Sequence, residues 1–229
     1  MTLRAEWGGR VDTLDIQVAM MWEAWRRLAV HGGFLTKPWY SDVERQADAP
    51  PLLSVEALRA DMVRMTAVMG RTMYMFTQDR SPKRPRLPRA TMGAMLSARS
   101  GFEGWVANQV FVDMRLPTSG LQPVDDPRMA PRQSSNPNLY SIGFRLVTDF
   151  VDIWHPDFVR LGGLVDPQGR ISPMGYVSWL SDDVIDSRQL PDAPIKQRYA
   201  NGTLLGVRLD ADDEGGQAEA LAAPCTEPG

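Results

Sequence analysis

The chain is poor in thiol and imidazole chemistry, with one cysteine and two histidines in 229 residues. The lone thiol, Cys225, lies in a small, polar C-terminal stretch. One cysteine cannot close an internal disulfide, which favours a reducing compartment. Long apolar runs are missing too. No window reaches the roughly 18 uncharged apolar residues that a membrane span needs. The opening Met1-Thr2-Leu3-Arg4-Ala5-Glu6 lacks the apolar core of a signal peptide. There is no basic excess: the formal net charge of −3 argues against a nucleic-acid binder, which is normally basic. The expectation is a cytoplasmic protein with no membrane and no nucleic acid among its partners.

Motifs of catalysis and cofactor binding are also lacking. The sequence has no Gly-x-Ser-x-Gly elbow, and neither Gly-x-Gly-x-x-Gly nor Gly-x-x-x-x-Gly-Lys occurs. Gly8-Gly9 precedes a helix start, but Asp12 would repel an anion there, so the pair reads as a tight turn. His31 sits in the last turn of a helix, where partial positive charge suits the dipole. A metal site would have to be assembled from carboxylates such as Asp182, Asp183 and Asp186, or Asp149 and Asp152, whose spacing suits a solvated face equally well. No catalytic residue, cofactor-binding residue or metal ligand is assigned, and no cofactor is expected.

What is present suits an ordinary globular domain, with 43% hydrophobic and 23% charged residues. Charge is unevenly spread: residues 1–115 hold 16 Lys+Arg against 12 Asp+Glu, and residues 116–229 hold 9 against 16. Leu3 to Trp7 reads as a strand. From about Thr13 to Val30, Leu14, Val18, Met21, Trp22, Trp25, Leu28 and Ala29 recur at helical spacing, with Asp12 as N-cap and His31-Gly32-Gly33 as the stop. A loop runs from Lys37 to Pro51. Ser54 caps a second helix whose Val55, Leu58, Met62, Met65 and Met69 share a face. The period then changes to two over Thr72 to Gln78, Arg89 to Arg99 and Trp105 to Arg115, an antiparallel meander. Between the first two strands, the basic run from Arg80 to Arg89 is kept irregular by proline. Pro117 to Pro137 is a long loop. Leu139 to Ile153 is helical through Ile142, Leu146, Phe150 and Ile153, ending before Trp154. Short strands follow near Leu161–Val165, Tyr176–Leu180 and Thr203–Leu209. The fold class is therefore α+β: a single domain over residues 1–209, mostly antiparallel sheet with helices packed on it. The acidic stretch 210–229 is too polar and too rich in small residues to order itself, and is expected to be a disordered tail.

Several pieces recur in a recognisable order. Trp7-Gly8-Gly9-Arg10 follows the first strand, and Trp39 follows the first helix. Later come Trp154-His155-Pro156-Asp157-Phe158, then Pro173-Met174-Gly175-Tyr176-Val177-Ser178-Trp179-Leu180-Ser181, then Leu190-Pro191 and Asn201-Gly202-Thr203-Leu204-Leu205. Together they resemble the immunity protein 52 family of bacterial polymorphic toxin systems, over about residues 5–209. Two departures stand out: Gly9 occupies a position where proline is frequent, and the 117–137 loop is long. The resemblance implies an antidote that binds a co-encoded secreted toxin, a nuclease delivered by contact-dependent or type VI secretion, in the producing cell's cytoplasm. It brings no catalytic residues.

For such a partner the best candidate contact segment is Asp182, Asp183, Val184, Ile185 and Asp186, at the end of a strand. Three carboxylates so close together are costly to bury unpaired and belong at the surface, with Val184 and Ile185 between them as apolar contacts. A nuclease cleft is basic, so an acidic face would be steered towards it. Two other classes stay open: an enzyme working through carboxylates such as Asp149, Asp152 and Asp157, and an adaptor of a secretion machine. The tryptophans read as scaffold in every case.

Overall fold

Alternation along the first strand decides the layering. In β1 (Thr2–Trp7), Leu3, Ala5 and Trp7 are buried while Thr2, Arg4 and Glu6 point the other way. The computed structural model describes residues 2–42, 50–69, 73–78, 89–96, 108–115, 137–162, 175–184, 193, 195–206, 208–209 and 218–219. Within them, β1 is the middle of a nine-stranded sheet in the order β2-β3-β4-β5-β1-β6-β7-β9-β8, and every pairing is antiparallel. One wing comprises β2 (Tyr40–Ser41), β3 (Met73–Thr77), β4 (Arg89–Met95) and β5 (Asn108–Arg115). The other comprises β6 (Phe158–Leu161), β7 (Val177–Ser181), β8 (Ile195–Tyr199) and β9 (Gly202–Gly206). A separate two-residue pair joins β10 (Arg208–Leu209) to β11 (Ala218–Glu219).

Three described helices lie on one face of this sheet. In α1 (Leu14–Val30) the stripe buries Val18, Met21, Trp25 and Leu28, with Ala24 taking the place expected of Ala29. Its N-cap is Thr13, whose side chain accepts from the Ile16 amide, and not Asp12. Asp12 pairs with Arg10 at 2.9 Å instead, and its carbonyl accepts from the side-chain Nε2 of buried Gln17. At the other end, Gly32 adopts φ of 77°, the left-handed turn that glycine makes without Cβ strain. Ser54 caps α2 (Val55–Met69) through the Ala57 amide as expected, and Leu58, Met62 and Met65 are buried. Val55, the first position of that stripe, is instead exposed. α3 (Pro137–Trp154) runs one residue beyond its expected end, because Trp154 is itself a fully buried core residue. The exposed His155 then breaks the helix at a positive φ of 42°.

Helix-to-sheet contacts fix the common face. Tyr74 on β3 donates to Gln17 on α1 at 3.0 Å and lies 3.3 Å from Thr66 on α2. Gly143 on α3 has room for no Cβ against Leu161, which would be 2.8 Å away. Trp25 stacks on Trp39 at 5.4 Å and meets the edge of Phe76 at 5.0 Å, tying the first helix, the following loop and β3 into one aromatic group.

The antiparallel meander β3-β4-β5 and the α+β class stand as read from the sequence. Three details differ. The strand placed at Leu161–Val165 lies earlier, at Phe158–Leu161, because it pairs with Leu3 to Glu6 of β1. Tyr40–Ser41 forms a short edge strand inside the expected 37–51 loop. Ile195–Tyr199, not foreseen, is the other edge. Residues 80–88 of the basic run, residues 117–136 of the 117–137 loop and most of the tail lie outside the described residues.

Trp25 is only 5% exposed. Trp25→Ala should cost about 3–5 kcal/mol, as truncation of a packed core aromatic does. Urea denaturation followed by circular dichroism checks this, and a loss below about 1 kcal/mol would mean that Trp39 and Phe76 close the gap.

Candidate functional site

The expected contact segment begins where β7 ends. Ser181 is buried; Asp182, Asp183 and Val184 emerge as an exposed turn, with Val184 56% accessible. The turn is built by local bonds: the Asp183 amide donates to Ser181 Oγ at 3.2 Å and the Val184 amide to the Ser181 carbonyl at 3.2 Å. The Asp182 amide reaches the Asn201 carbonyl at 3.0 Å, setting the turn beside the β8-β9 hairpin. From that hairpin Arg198 forks onto Asp182, with Nη1 2.7 Å from Oδ1 and Nη2 2.5 Å from Oδ2. The guanidinium holds the Asp182 carboxyl below its ordinary value. The Asp183 carboxylate makes only long contacts, 3.4 Å from Ser181 Oγ and 3.4 Å from Asn201 Nδ2. Ile185 and Asp186 lie outside the described residues. The turn is thus exposed as expected, but one of its acids is already matched by a cation on a strand that the sequence did not reveal.

A second polar cluster joins α1, α3 and β8. Arg27 donates to Asp149 at 2.9 Å, to Asp152 at 3.2 Å and to Glu23 at 3.1 Å. His31 Nε2 lies 3.1 Å from the other oxygen of Asp149, and Tyr199 donates to Asp152 at 2.8 Å. Burial pushes the Asp149 carboxyl up, but the bonds from His31 and Arg27 outweigh it and leave the group below its ordinary value. Asp149, then Glu23, raise the Arg27 guanidinium. Burial first, then the Asp152 bond and the charges of Asp152 and Asp149, push the Tyr199 phenol up to about 12. These shifts keep Arg27, Asp149 and Tyr199 in their ordinary charge states at neutral pH. That is the behaviour of a clamp, whereas a general acid would have its carboxyl raised towards neutrality. Of the carboxylates considered for catalysis, Asp149 and Asp152 share this cluster and Asp157 lies in another.

Asp157 belongs to a third cluster, which gathers the recurring motifs. Its carboxylate accepts from the Gly8 amide at 2.6 Å, its own amide donates to the Glu6 carbonyl at 2.9 Å, and its carbonyl accepts from the Ser181 amide at 3.0 Å. Trp7 stacks on Trp154 with ring centres 5.6 Å apart, and Arg10 lies 5.3 Å over the Trp7 ring. Fully buried Asn108 donates to the carbonyls of Gly8 at 2.8 Å and Arg10 at 3.2 Å. Trp-Gly-Gly-Arg and Trp-His-Pro-Asp are therefore two halves of one interlock. Trp179 is fully buried as well, its indole donating to the Tyr199 carbonyl at 3.0 Å.

No family model matches the chain, and no curated protein matches it in sequence. A solved Pseudomonas aeruginosa T6SS protein is similar in structure, at 11% identity and a TM-score of 0.45, over 97% of this chain and 67% of that one. A likeness of that order does not transfer function. Among the described residues, no helix is long and apolar enough to cross a membrane, and no three His, Cys, Asp or Glu side chains are grouped to hold a metal ion.

The clamp predicts a pH response. A carboxyl whose folded value is depressed contributes stability that is present above its unfolded value and is lost as pH falls through the folded one. Asp149→Asn should lower stability at pH 7 by about 1–2 kcal/mol, allowing for partial exposure. The difference from the parent protein should shrink once the pH is well below the ordinary value of 3.8. Denaturation at both pH values checks this; a gap unchanged in acid would mean that the Asn acts through packing.

Proposed function

We propose that this chain is an immunity protein, which binds a secreted toxin encoded beside it and neutralises the toxin in the producing cell's cytoplasm. The toxin is taken to be a nuclease, as the resemblance implies. The observation that carries the reading is the interlock of the motif residues: Trp7, Gly8, Arg10, Trp154 and Asp157 bind one another. Residues that recur because they hold a scaffold together, while the surface varies with the partner, suit a set of antidotes each matched to its own toxin. The exposed Asp182-Asp183-Val184 turn on that scaffold offers a partner carboxylates beside an apolar side chain.

Pairing with Arg198 refines the expected contact. Of the two described carboxylates in the turn, that of Asp183 has only weak internal contacts, so it would meet a toxin cation directly, whereas Asp182 would be shared between Arg198 and the partner. Exposed charges of this kind act mainly through association rate and its salt dependence.

Asp182→Lys with Asp183→Lys should leave the chain folded, because exposed ion pairs contribute little to stability. Binding to the toxin encoded by the neighbouring gene should be greatly weakened. Isothermal titration measures the affinity, with circular dichroism as the folding control. Unchanged affinity in the folded variant would remove the turn from the interface. A full chain that neither binds the neighbouring gene's product nor protects cells expressing it would defeat the immunity reading itself.

A further inference from the structure

Four turns lie side by side at one end of the sheet: residues 8–12 after β1, 155–157 before β6, 182–184 after β7, and 200–201 between β8 and β9. The strand order β1-β6-β7-β9-β8 makes them neighbours, and four strand spacings, about 19 Å at ~4.8 Å each, set their breadth. Each turn is open to solvent. Val11 is 64% and Val184 56% accessible, and His155, Ala200 and Asn201 are exposed. Backbone bonds tie the turns together: the Asp157 amide donates to the Glu6 carbonyl, the Ser181 amide to the Asp157 carbonyl, and the Asp182 amide to the Asn201 carbonyl. A surface already held in place loses little entropy when it binds.

The fold breaks its own local rules here. Both described non-glycine residues with positive φ lie at this end, His155 at 42° and Ala200 at 50°. Glycine and asparagine take that conformation readily; histidine and alanine are strained in it, and such strain gathers at functional sites. In the interlock from which two of the turns spring, Trp7, Trp154 and Asn108 are buried, yet both indole N–H groups and the amide Oδ1 have no hydrogen-bond partner. Local consistency of this kind is given up chiefly where a protein works.

Charge selects the partner. Arg10 pairs with Asp12 and Arg198 with Asp182, so these four cancel. Asp157 and Asp183 are left as the excess charge of the described turns. Asp157 accepts from the Gly8 amide, whereas the Asp183 carboxylate is held only by long contacts. We infer that the four turns form one binding rim for a basic protein surface, with Asp183 meeting a cation and Val11 and Val184 meeting the apolar groups beside it. This rests on the immunity reading and enlarges it: the toxin is held by the whole end of the sheet, through residues far apart in sequence, and not by the Asp182 segment alone.

Hydrogen exchange and titration calorimetry of the full chain with the neighbouring gene's product test this. In the complex, exchange should slow in all four turns together. Val11→Lys and Asn201→Lys, both outside the Asp182 segment, should each weaken binding about tenfold or more while melting like the parent. Val11→Ser replaces Val11→Lys if the latter unfolds. Leu53→Lys, at a comparably exposed position before α2 on the other wing, should change binding less than about twofold. Protection missing from any of the four turns, or full affinity in either folded variant, overturns the rim and leaves the immunity reading standing. Equal weakening by Leu53→Lys overturns it too, because a cation anywhere on the chain would then have the same effect. A parent chain that does not bind the product ends both.

Discussion

Where β1 ends, the Trp7 ring lies on Trp154 at the end of α3, and the Gly8 amide donates to Asp157 just beyond. This contact joins the two wings of the sheet. β1 supplies the edge against which β5 pairs on one side and β6 on the other, so its exit must be held at one angle for both registers to stand. Asn108 at the start of β5 binds the carbonyls on either side of the turn, and Asp157 passes the constraint to β7 through the Ser181 amide. The site segment at Asp182 begins one residue later. Its place at the surface is thus inherited from a stack of two tryptophans.

The polar side chains divide by what they already hold. Arg27, Asp149, Asp152 and Tyr199 satisfy one another across three elements, and the shifts of Arg27, Asp149 and Tyr199 deepen the charge states they already have. Such a group stiffens a scaffold and offers little to a partner. The Asp183 carboxylate, by contrast, leaves most of its hydrogen-bonding capacity unused at an end of the sheet.

Much of this was legible in the residues. The stripe of Val18, Met21, Trp25 and Leu28 announces α1 because large apolar groups repeat every turn, and the alternation through Val110, Val112 and Met114 announces β5. The edges were harder. Ile195-Lys196-Gln197-Arg198-Tyr199 is polar along much of its length because one edge of β8 has no neighbouring strand in the sheet, so its pattern resembles a loop. Without β8 the partner of Asp182 could not be named, although the exposure of Asp182, Asp183 and Val184 could. Asp12 and Thr13 are both good helix caps. Which one caps was settled by Arg10, which draws the aspartate away through a contact that no local rule anticipates. The centre of the sheet was not legible at all, since a six-residue strand says nothing of neighbours more than a hundred positions away.

That central position has a consequence for how the protein comes into being. β1 leaves the ribosome before the other strands of the sheet, yet its neighbours are β5, which ends at Arg115, and β6, which ends at Leu161. At roughly 5–20 residues per second, the nascent chain spends many seconds with an apolar strand that has neither edge covered. Pairings this distant in sequence close slowly. Leu3, Ala5 and Trp7 therefore stay uncovered until both neighbouring strands, and α3, the helix that packs on β1, have been made.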